Sequence, residues 1–335
     1  MGATRWGICS AGKIAHDFLV ALKTLPPEEH QVVAIASRDL SRAQEYARRH
    51  GIAKAYGSYT ELAEDPSVDV VHIGVINPYH LSTALLFIRA GKNVLCEKPL
   101  GMNGAEVDTM VQAAREKKVF FMEGLWSRFF PASEKIRSIL SQGSIGEVML
   151  LHAEFGSPQL AIPRCVEKEL GGGGLLDIGC YCVQLACMVF NGEKPESILA
   201  SGFLHDTGVD KTASIILNYS GDRQAVLTCT MTARMPNRAS INGVKGVIEI
   251  PSPFWCPTEL VVNGQKVEFP LPTPSQQLYF TNSAGLRYEA EHVRQCLLKG
   301  LKESPVLTHA DSKLVNSILE EARRQVGALY PQDKA

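Results

Sequence analysis

The chain has 335 residues, 45% of them hydrophobic and 21% charged, with a formal net charge of −1. That length suits two domains of ~150 residues each, and that composition supplies a sizeable core. The near-zero charge argues against a nucleic-acid or anionic-membrane binder, no apolar run approaches the ~20 residues of a spanning helix, and the start M-G-A-T-R-W lacks a signal-peptide pattern, so a cytoplasmic protein is expected.

The first apolar strand is Arg5 to Ser10, followed by a turn at Ala11-Gly12-Lys13. A helix begins at Ile14, with Phe18, Leu22 and Leu25 at helical spacing. Strand, glycine turn and helix form the context of the dinucleotide fingerprint G-x-G-x-x-G/A, written here as Ser10-x-Gly12-x-x-Ala15 with serine in place of the first glycine. Ser10, Gly12, Lys13 and Ile14 are therefore the expected pyrophosphate turn. The second strand, Gln31 to Ala36, runs into Ser37-Arg38-Asp39-Leu40-Ser41-Arg42. An acidic residue at this place would bind the ribose hydroxyls of NAD. Ser37, Arg38 and, one turn on, Arg42 suit a 2′-phosphate instead, so NADP is expected. Asp39 reads as the N-cap of a helix running to His50.

A short helix at Tyr59 to Ala63 and a strand at Val68 to Gly74 follow. The helix Pro78 to Ala90 is entered through Asn77-Pro78-Tyr79-His80 and closed by Gly91. Next, the run Val94-Leu95-Cys96 delivers Glu97 and Lys98 and stops at Pro99, which removes a ladder donor. Ligands of open α/β sheets sit at the carboxyl ends of strands, so Lys98 beside Glu97 is a candidate for chemistry; the alternative is a turn lysine at the surface. A helix from Gly104 to Lys117 and a strand from Phe120 to Met122 complete a doubly wound parallel sheet, with the nucleotide domain spanning 1–124.

The pattern then changes. A helix at Pro131 to Gln142 and a strand at Glu147 to Phe155 lead to the glycine run 171–174, which opens a helix from Leu175 to Phe190. Asp177, Tyr181 and Gln184 share one stripe of that helix by their spacing. Seven strands follow between Ser197 and Phe269 with few helices between them, implying an antiparallel or mixed open sheet. The loop Pro270 to Ser283 is long enough to border a site. Helices at Ala284 to Leu301 and Asp311 to Leu329 close the second domain, 125–335.

The nine cysteines, Cys9, Cys96, Cys165, Cys180, Cys182, Cys187, Cys229, Cys256 and Cys296, are odd in number and mostly lie in apolar runs, without a Cys-x-x-Cys pair. Reduced buried thiols are expected, with no disulfide frame and no metal site.

Taken together, S-A-G-K-I-A, the Asn77/His80 helix start, A-G-K-N-V-L-C-E-K-P and G-G-G-L-L-D-I-G resemble the glucose-fructose oxidoreductase and inositol dehydrogenase family over the whole chain. R-W-G-I-x-S, S-R-F-F-P-A-S-E, L-L-D-I-G-x-Y-C-V-Q and W-C-P-T-E-L-V-V resemble one branch of it, whose members oxidise trans-dihydrodiols of arenes, and D-xylose at carbon 1, with NADP. The resemblance implies that Lys98 lies beside the nicotinamide and the reacting hydroxyl, in a site shared with the second domain. Tyr181 stands where many relatives carry a histidine. Lys98 and Tyr181 would be an acid-base pair, because a neighbouring cation lowers a phenol pKa. Asp177 would orient Lys98 or the substrate, and His80 would add a polar contact. Asn77, His80, Glu97 and Lys98 would join the cofactor contacts, and Trp126, Phe155, Trp255 and Phe280 would form an apolar wall for a flat ring. The family also implies a homodimer. Two other readings stay open: a dedicated aldose 1-dehydrogenase, and a cofactor-binding regulator without catalysis.

Overall fold

A computed structural model describes residues 2–334. Contacts gather them into two compact units, the first comprising residues up to Leu100, Ala105–Trp126 and Leu271–His309, the second Gly101–Gly104, Ser127–Pro270 and the chain from Ala310 onward. The segment Leu271–His309 thus packs with the first unit, although the division at Gly124 counted it with the second.

In the first unit β1 (Thr4–Cys9), α1 (Lys13–Leu22), β2 (His30–Ala36), α2 (Leu40–His50), β3 (Lys54–Tyr56), α3 (Tyr59–Glu64), β4 (Val70–Ile73), α4 (His80–Arg89), β5 (Asn93–Glu97), α5 (Gly104–Lys117) and β6 (Phe121–Gly124) alternate. The strands form one parallel sheet in the order β3-β2-β1-β4-β5-β6. Because β1 feeds β2 on one side and β4 lies on the other, the order reverses at β1, and the loops after β1 and β4 flank the crevice where such sheets bind ligands. Strands covered on both faces read as continuous apolar runs, and β4 is buried at every position. Phe87, Ile88, Val107, Met110 and Val111 pack on Val71, Ile73, Val94, Cys96 and Phe121. Burying one such side chain contributes ~1.5–3 kcal/mol. The strand β3 escaped the sequence reading, since a three-residue K-A-Y carries no periodicity to detect.

The second unit holds α6 (Pro131–Ser141), β7 (Val148–Gly156), the single turn α7 (Pro163–Val166), α8 (Cys180–Val189), the strands β8 (Ser197–Leu204), β9 (Asp210–Tyr219), β10 (Arg223–Thr230), β11 (Ala239–Gly243), β12 (Gly246–Ile250), β13 (Glu259–Val262) and β14 (Gln265–Glu268). After α9 (Leu286–Leu298), which packs with the first unit, comes α10 (His309–Val326). The eight strands order as β14-β13-β12-β11-β7-β10-β9-β8. Only the central β7–β10 pairing is parallel among the described strands, so the sheet is mixed and mainly antiparallel. The fold class expected from the sequence, a doubly wound domain followed by a large open sheet, is the one the chain forms.

The segment feeding α8 departs from the expected single helix. Leu175–Gly179 is a π turn, and the α-helix starts only at Cys180. Extra-residue turns of this kind recur at functional sites. The stretch Lys168–Val189 is long and apolar enough, by composition alone, to cross a membrane, contrary to the reading that no run approached that length. Its apolar window is wholly buried within the unit, where α8 packs on β7 and β10, so it is a core element. All nine cysteines are buried thiols.

Candidate active site

In the first unit the turn after β1 is built for close approach. Ser10 takes φ +96°, a conformation that favours glycine, and so does the work of the glycine it replaces. Its amide donates to Ala36 O at 2.9 Å and its hydroxyl to Gly74 O at 3.2 Å, tying together the carboxyl ends of β1, β2 and β4. A Cβ added at Gly12 would meet only Ser10 Oγ, at 3.6 Å, so the backbone there lies open to a ligand. No side chain caps α1, which leaves its first N–H groups for an anion. These features fit a dinucleotide pyrophosphate. Lys13 is exposed at the first position of α1, and Ile14 sets its methyl against Gly74, where a Cβ would come within 2.9 Å.

Ser37 is buried at the end of β2, and Arg38 and Arg42 are exposed beyond it. Arg42 Nε donates to Ala11 O at 2.8 Å, binding α2 to the Gly12 turn, while the Arg38 guanidinium stands 5.7 Å from the Tyr79 ring centroid. Asp39 is the N-cap expected of it: its carboxylate accepts from Ser41 N at 2.9 Å and Ser41 Oγ at 2.6 Å. Those bonds, both on Oδ1, hold its pKa below the ordinary carboxylate value.

Lys98 is half-buried just past β5, joined to the buried Pro99 by a cis peptide bond. Glu97 is buried and receives His72 Nε2 at 3.0 Å. Asn77 is buried at the start of the turn before α4. His80 is fully buried, with Nδ1 2.8 Å from Pro99 O and Nε2 2.9 Å from Val75 O. Burial lowers its pKa against the pull of those carbonyls. A carbonyl only accepts and a neutral imidazole carries one N–H, so His80 donates to one of these carbonyls and lies against the other, beside the turn that follows Lys98. The direct polar contact expected from the sequence would require this packing to change.

The second unit contributes a different set. Asp177, in the π turn, is buried and accepts from Arg164 Nη1 at 3.0 Å and from Cys165 Sγ at 3.8 Å. Tyr181, one turn further, is buried beside Phe155 (centroids 5.9 Å apart) and Trp255 (6.4 Å). Phe155 and Trp255 stack at 3.7 Å and 9°. Gln184 does not extend this site, since its Oε1 accepts from the buried Arg128 at 3.0 Å; the single stripe expected for Asp177, Tyr181 and Gln184 divides between two sets of partners. Of the four aromatics expected to form one wall, Phe155 and Trp255 stack in the second unit, whereas Trp126 and Phe280 belong to the first.

Two residues of this set were not legible in the sequence. Arg164 lies thirteen positions before Asp177 with no periodic relation to it. Asp210 opens β9, where a charge reads as surface; it is fully buried, accepts from Leu175 N at 2.6 Å, and so caps the π turn. Burial pushes its carboxyl up to about 6, against the bond from Leu175. A Cβ at Gly173 would strike Asp210 Oδ1 and Tyr330 Oη, so the glycine run is there to admit this cap.

Glu29, His30 and Glu291 bring three potential ligand atoms within 4.8 Å of one another. Trp6 Nε1 donates to His30 Nδ1 at 3.2 Å and His30 Nε2 reaches Glu291 Oε2 at 2.7 Å, which uses both imidazole nitrogens without an ion.

Comparison with known proteins bears on this arrangement. Residues 4–125 match the family model described as an oxidoreductase family with an NAD-binding Rossmann fold, and residues 133–249 match the GFO/IDH/MocA C-terminal domain. The chain is 59% identical to the trans-1,2-dihydrobenzene-1,2-diol dehydrogenase of Danio rerio, over 99% of each chain. It is 53% identical to the protein of that name from Homo sapiens, again over 99% of each. A 3-ketoreductase from Actinomadura kijaniata, solved with NADP and TDP-benzene, superposes with a TM-score of 0.80 at 27% identity, covering 98% of this chain and 99% of its own. That reductase has also been solved with a lysine replaced by alanine and with a tyrosine replaced by phenylalanine. The resemblance drawn from the sequence motifs is thereby borne out, and the chain is an oxidoreductase with a nicotinamide-binding Rossmann domain. It belongs to the GFO/IDH/MocA oxidoreductase family.

Proposed function

We propose that this protein is an NADP-dependent dehydrogenase that oxidises trans-dihydrodiols of arenes to catechols, and D-xylose and similar aldoses to lactones. The observation that carries the diol reading is the placement of the Tyr181 phenol against the stacked Phe155–Trp255 pair. An aromatic surface of that kind suits a flat, mostly apolar ring, and Asp177 with Arg164 supplies polar groups one turn away. The names of the relatives above support the same substrate class. The nicotinamide, when bound, supplies the hydride acceptor. Lys98 and Tyr181 are the proton-handling groups: they hydrogen-bond the reacting hydroxyl, and one of them takes its proton. The lysine and tyrosine variants of the reductase neighbour point to the same two residue types. Ser10, Gly12, Lys13 and Ile14 would hold the pyrophosphate, and Ser37, Arg38 and Arg42 the 2′-phosphate. Asn77 and Glu97 would support the nicotinamide end through the loops after β4 and β5.

In this reading the protein works in the cytoplasm, consistent with nine buried thiols, as a homodimer. The open face of the eight-stranded sheet, lined by residues such as His152, Glu154, Val226, Thr228 and Arg238, is the proposed pairing surface. Gel filtration reporting a monomer would contradict that part.

The deciding assay is NADP reduction across a panel of arene trans-dihydrodiols, D-xylose and D-glucose. Turnover of diols and of xylose is expected. NADPH formation with sugars only would leave a dedicated aldose dehydrogenase, and tight NADP binding without turnover would leave a regulator.

A further inference from the structure

The segment between β14 and α9 has little regular structure, yet its tip is firmly tied to α1. Asp17, fully buried, takes three donors from it: Tyr279 N at 2.9 Å on Oδ1, and Phe280 N at 2.9 Å and Ser283 Oγ at 2.6 Å on Oδ2. His16, also fully buried, places Nε2 2.9 Å from Gln277 O, and Nδ1 3.1 Å from His50 Nε2. A carbonyl only accepts, so His16 Nε2 donates to Gln277. Arg49 Nε adds a bond to Gln276 Oε1 at 3.1 Å. Five loop residues, Gln276, Gln277, Tyr279, Phe280 and Ser283, are thus engaged by α1 or α2 side chains, and hydrogen bonds to a carboxylate are the stronger kind.

What the anchoring delivers is Tyr279. Its ring meets His16 edge-on at 5.1 Å and lies 5.7 Å from Lys13 Nζ, while half its surface stays exposed. Lys13 opens the helix whose N-terminus faces the Gly12 turn. Tyr46 donates to Gly12 O at 3.2 Å and carries the Arg42 guanidinium 6.0 Å from its ring centroid. Burial pushes its phenol up in pKa. An exposed aromatic ring is therefore fixed against His16 and Lys13, at the start of the helix that follows the Gly12 turn. A loop needing only to join β14 to α9 would not require two buried polar side chains to set its tip.

We propose that Gln276–Phe280 is a cofactor clasp, in which Tyr279, set by Asp17 and His16, retains a phosphate-bearing cofactor at the Gly12 turn and slows its release. The inference rests on the NADP reading above and adds a binding residue to it.

The test uses cofactor-free full-length protein, titration calorimetry and stopped-flow release of NADP. Tyr279→Ala removes an exposed ring and should leave Tm unchanged. It is expected to raise the Kd for NADP about tenfold, mainly through faster dissociation. Tyr279→Phe keeps the ring and should keep the affinity. Asp17→Asn turns one acceptor into a donor facing a loop N–H; it should speed amide exchange at Tyr279 and Phe280 and reproduce the faster release. If wild type binds NADP and Tyr279→Ala matches its Kd and release rate, the clasp is overturned. If wild type binds NAD in preference, the 2′-phosphate reading fails, and the same comparison with NAD decides the clasp. If wild type binds neither, both readings fall.

Discussion

Arg164 holds Nη1 3.0 Å from Oδ1 of Asp177, four residues before Tyr181 in the segment that carries the site of the second unit. The guanidinium is pushed above its ordinary value first by the Asp177 charge, against burial, and also feels Tyr181. A cation is thus held on the carboxylate that lies one helical turn before the tyrosine, within the same unit. The Arg164 side chain is 42% exposed, so solvent screening limits the pair to ~1–2 kcal/mol. Arg164→Ala is expected to lower kcat/KM for the diol roughly tenfold, with Arg164→Lys recovering part of the loss, because a point charge lacks the planar fork. Wild-type kinetics for Arg164→Ala would make it a surface ion pair without a role in turnover.

Proton handling is addressed by Tyr181→Phe and Lys98→Met. Each should reduce kcat at saturating NADP by ~10²–10⁴-fold, the ordinary size of a general acid–base contribution. The pH profile of kcat/KM should lose its basic limb in whichever variant removes the proton acceptor. Near-wild-type turnover by Tyr181→Phe would demote the tyrosine to packing on Phe155.

On the proposed NADP reading, cofactor choice turns on Arg38. Asp39 serves as the helix cap, its Oδ1 held by Ser41 N and Ser41 Oγ, while the Arg38 guanidinium stands beside it in sequence. Arg38→Ala should therefore raise KM for NADP at least tenfold while changing KM for NAD little. Equal effects on the two cofactors would remove the 2′-phosphate assignment.

Ser10 is a non-glycine residue at φ +96° in the fingerprint turn. Such conformations cost ~1–3 kcal/mol, offset here by the bonds to Ala36 and Gly74. Ser10→Gly relieves the strain but loses the Gly74 bond and loosens the unfolded chain. The expected result is a Tm within a few degrees of wild type with NADP affinity intact, whereas Ser10→Val should be strongly destabilised. Calorimetry of the two variants checks this, and equal Tm values would show that the turn tolerates a β-branched residue.

His50 is buried against His16, and its pKa falls to about 4, first through burial and then through the positive charges of Lys23, His16 and Arg49. A depressed imidazole keeps its full contribution to stability above the ordinary value near 6.5 and loses it as pH falls toward about 4. Tm should therefore drop as the pH is lowered across that window, and His50→Gln should flatten the drop. A slope unchanged by the substitution would place the sensitivity elsewhere.

Much of this was legible without coordinates. Alternating strands and helices, the Gly12 turn, the Asp39 cap, the break at Pro99 and the run of strands after Ser197 all arise from local propensity and short-range periodicity, so composition and spacing reveal them. Side-chain partners separated by tens of residues do not leave such a trace. That Ser10 adopts a glycine conformation, that His80 is enclosed with its two nitrogens against backbone carbonyls, that Gln184 turns to Arg128 and away from Asp177, and that Asp210 caps the π turn each depend on packing between distant segments. The same holds for Leu271–His309, which packs with the first unit because Asp17 and His16, more than 250 positions earlier, hold its loop. By itself the sequence determined which residue types would stand at the turns and strand ends; only the tertiary structure decided which of them stay exposed and which are held by each other, because burial and hydrogen-bond satisfaction are properties of the folded surroundings.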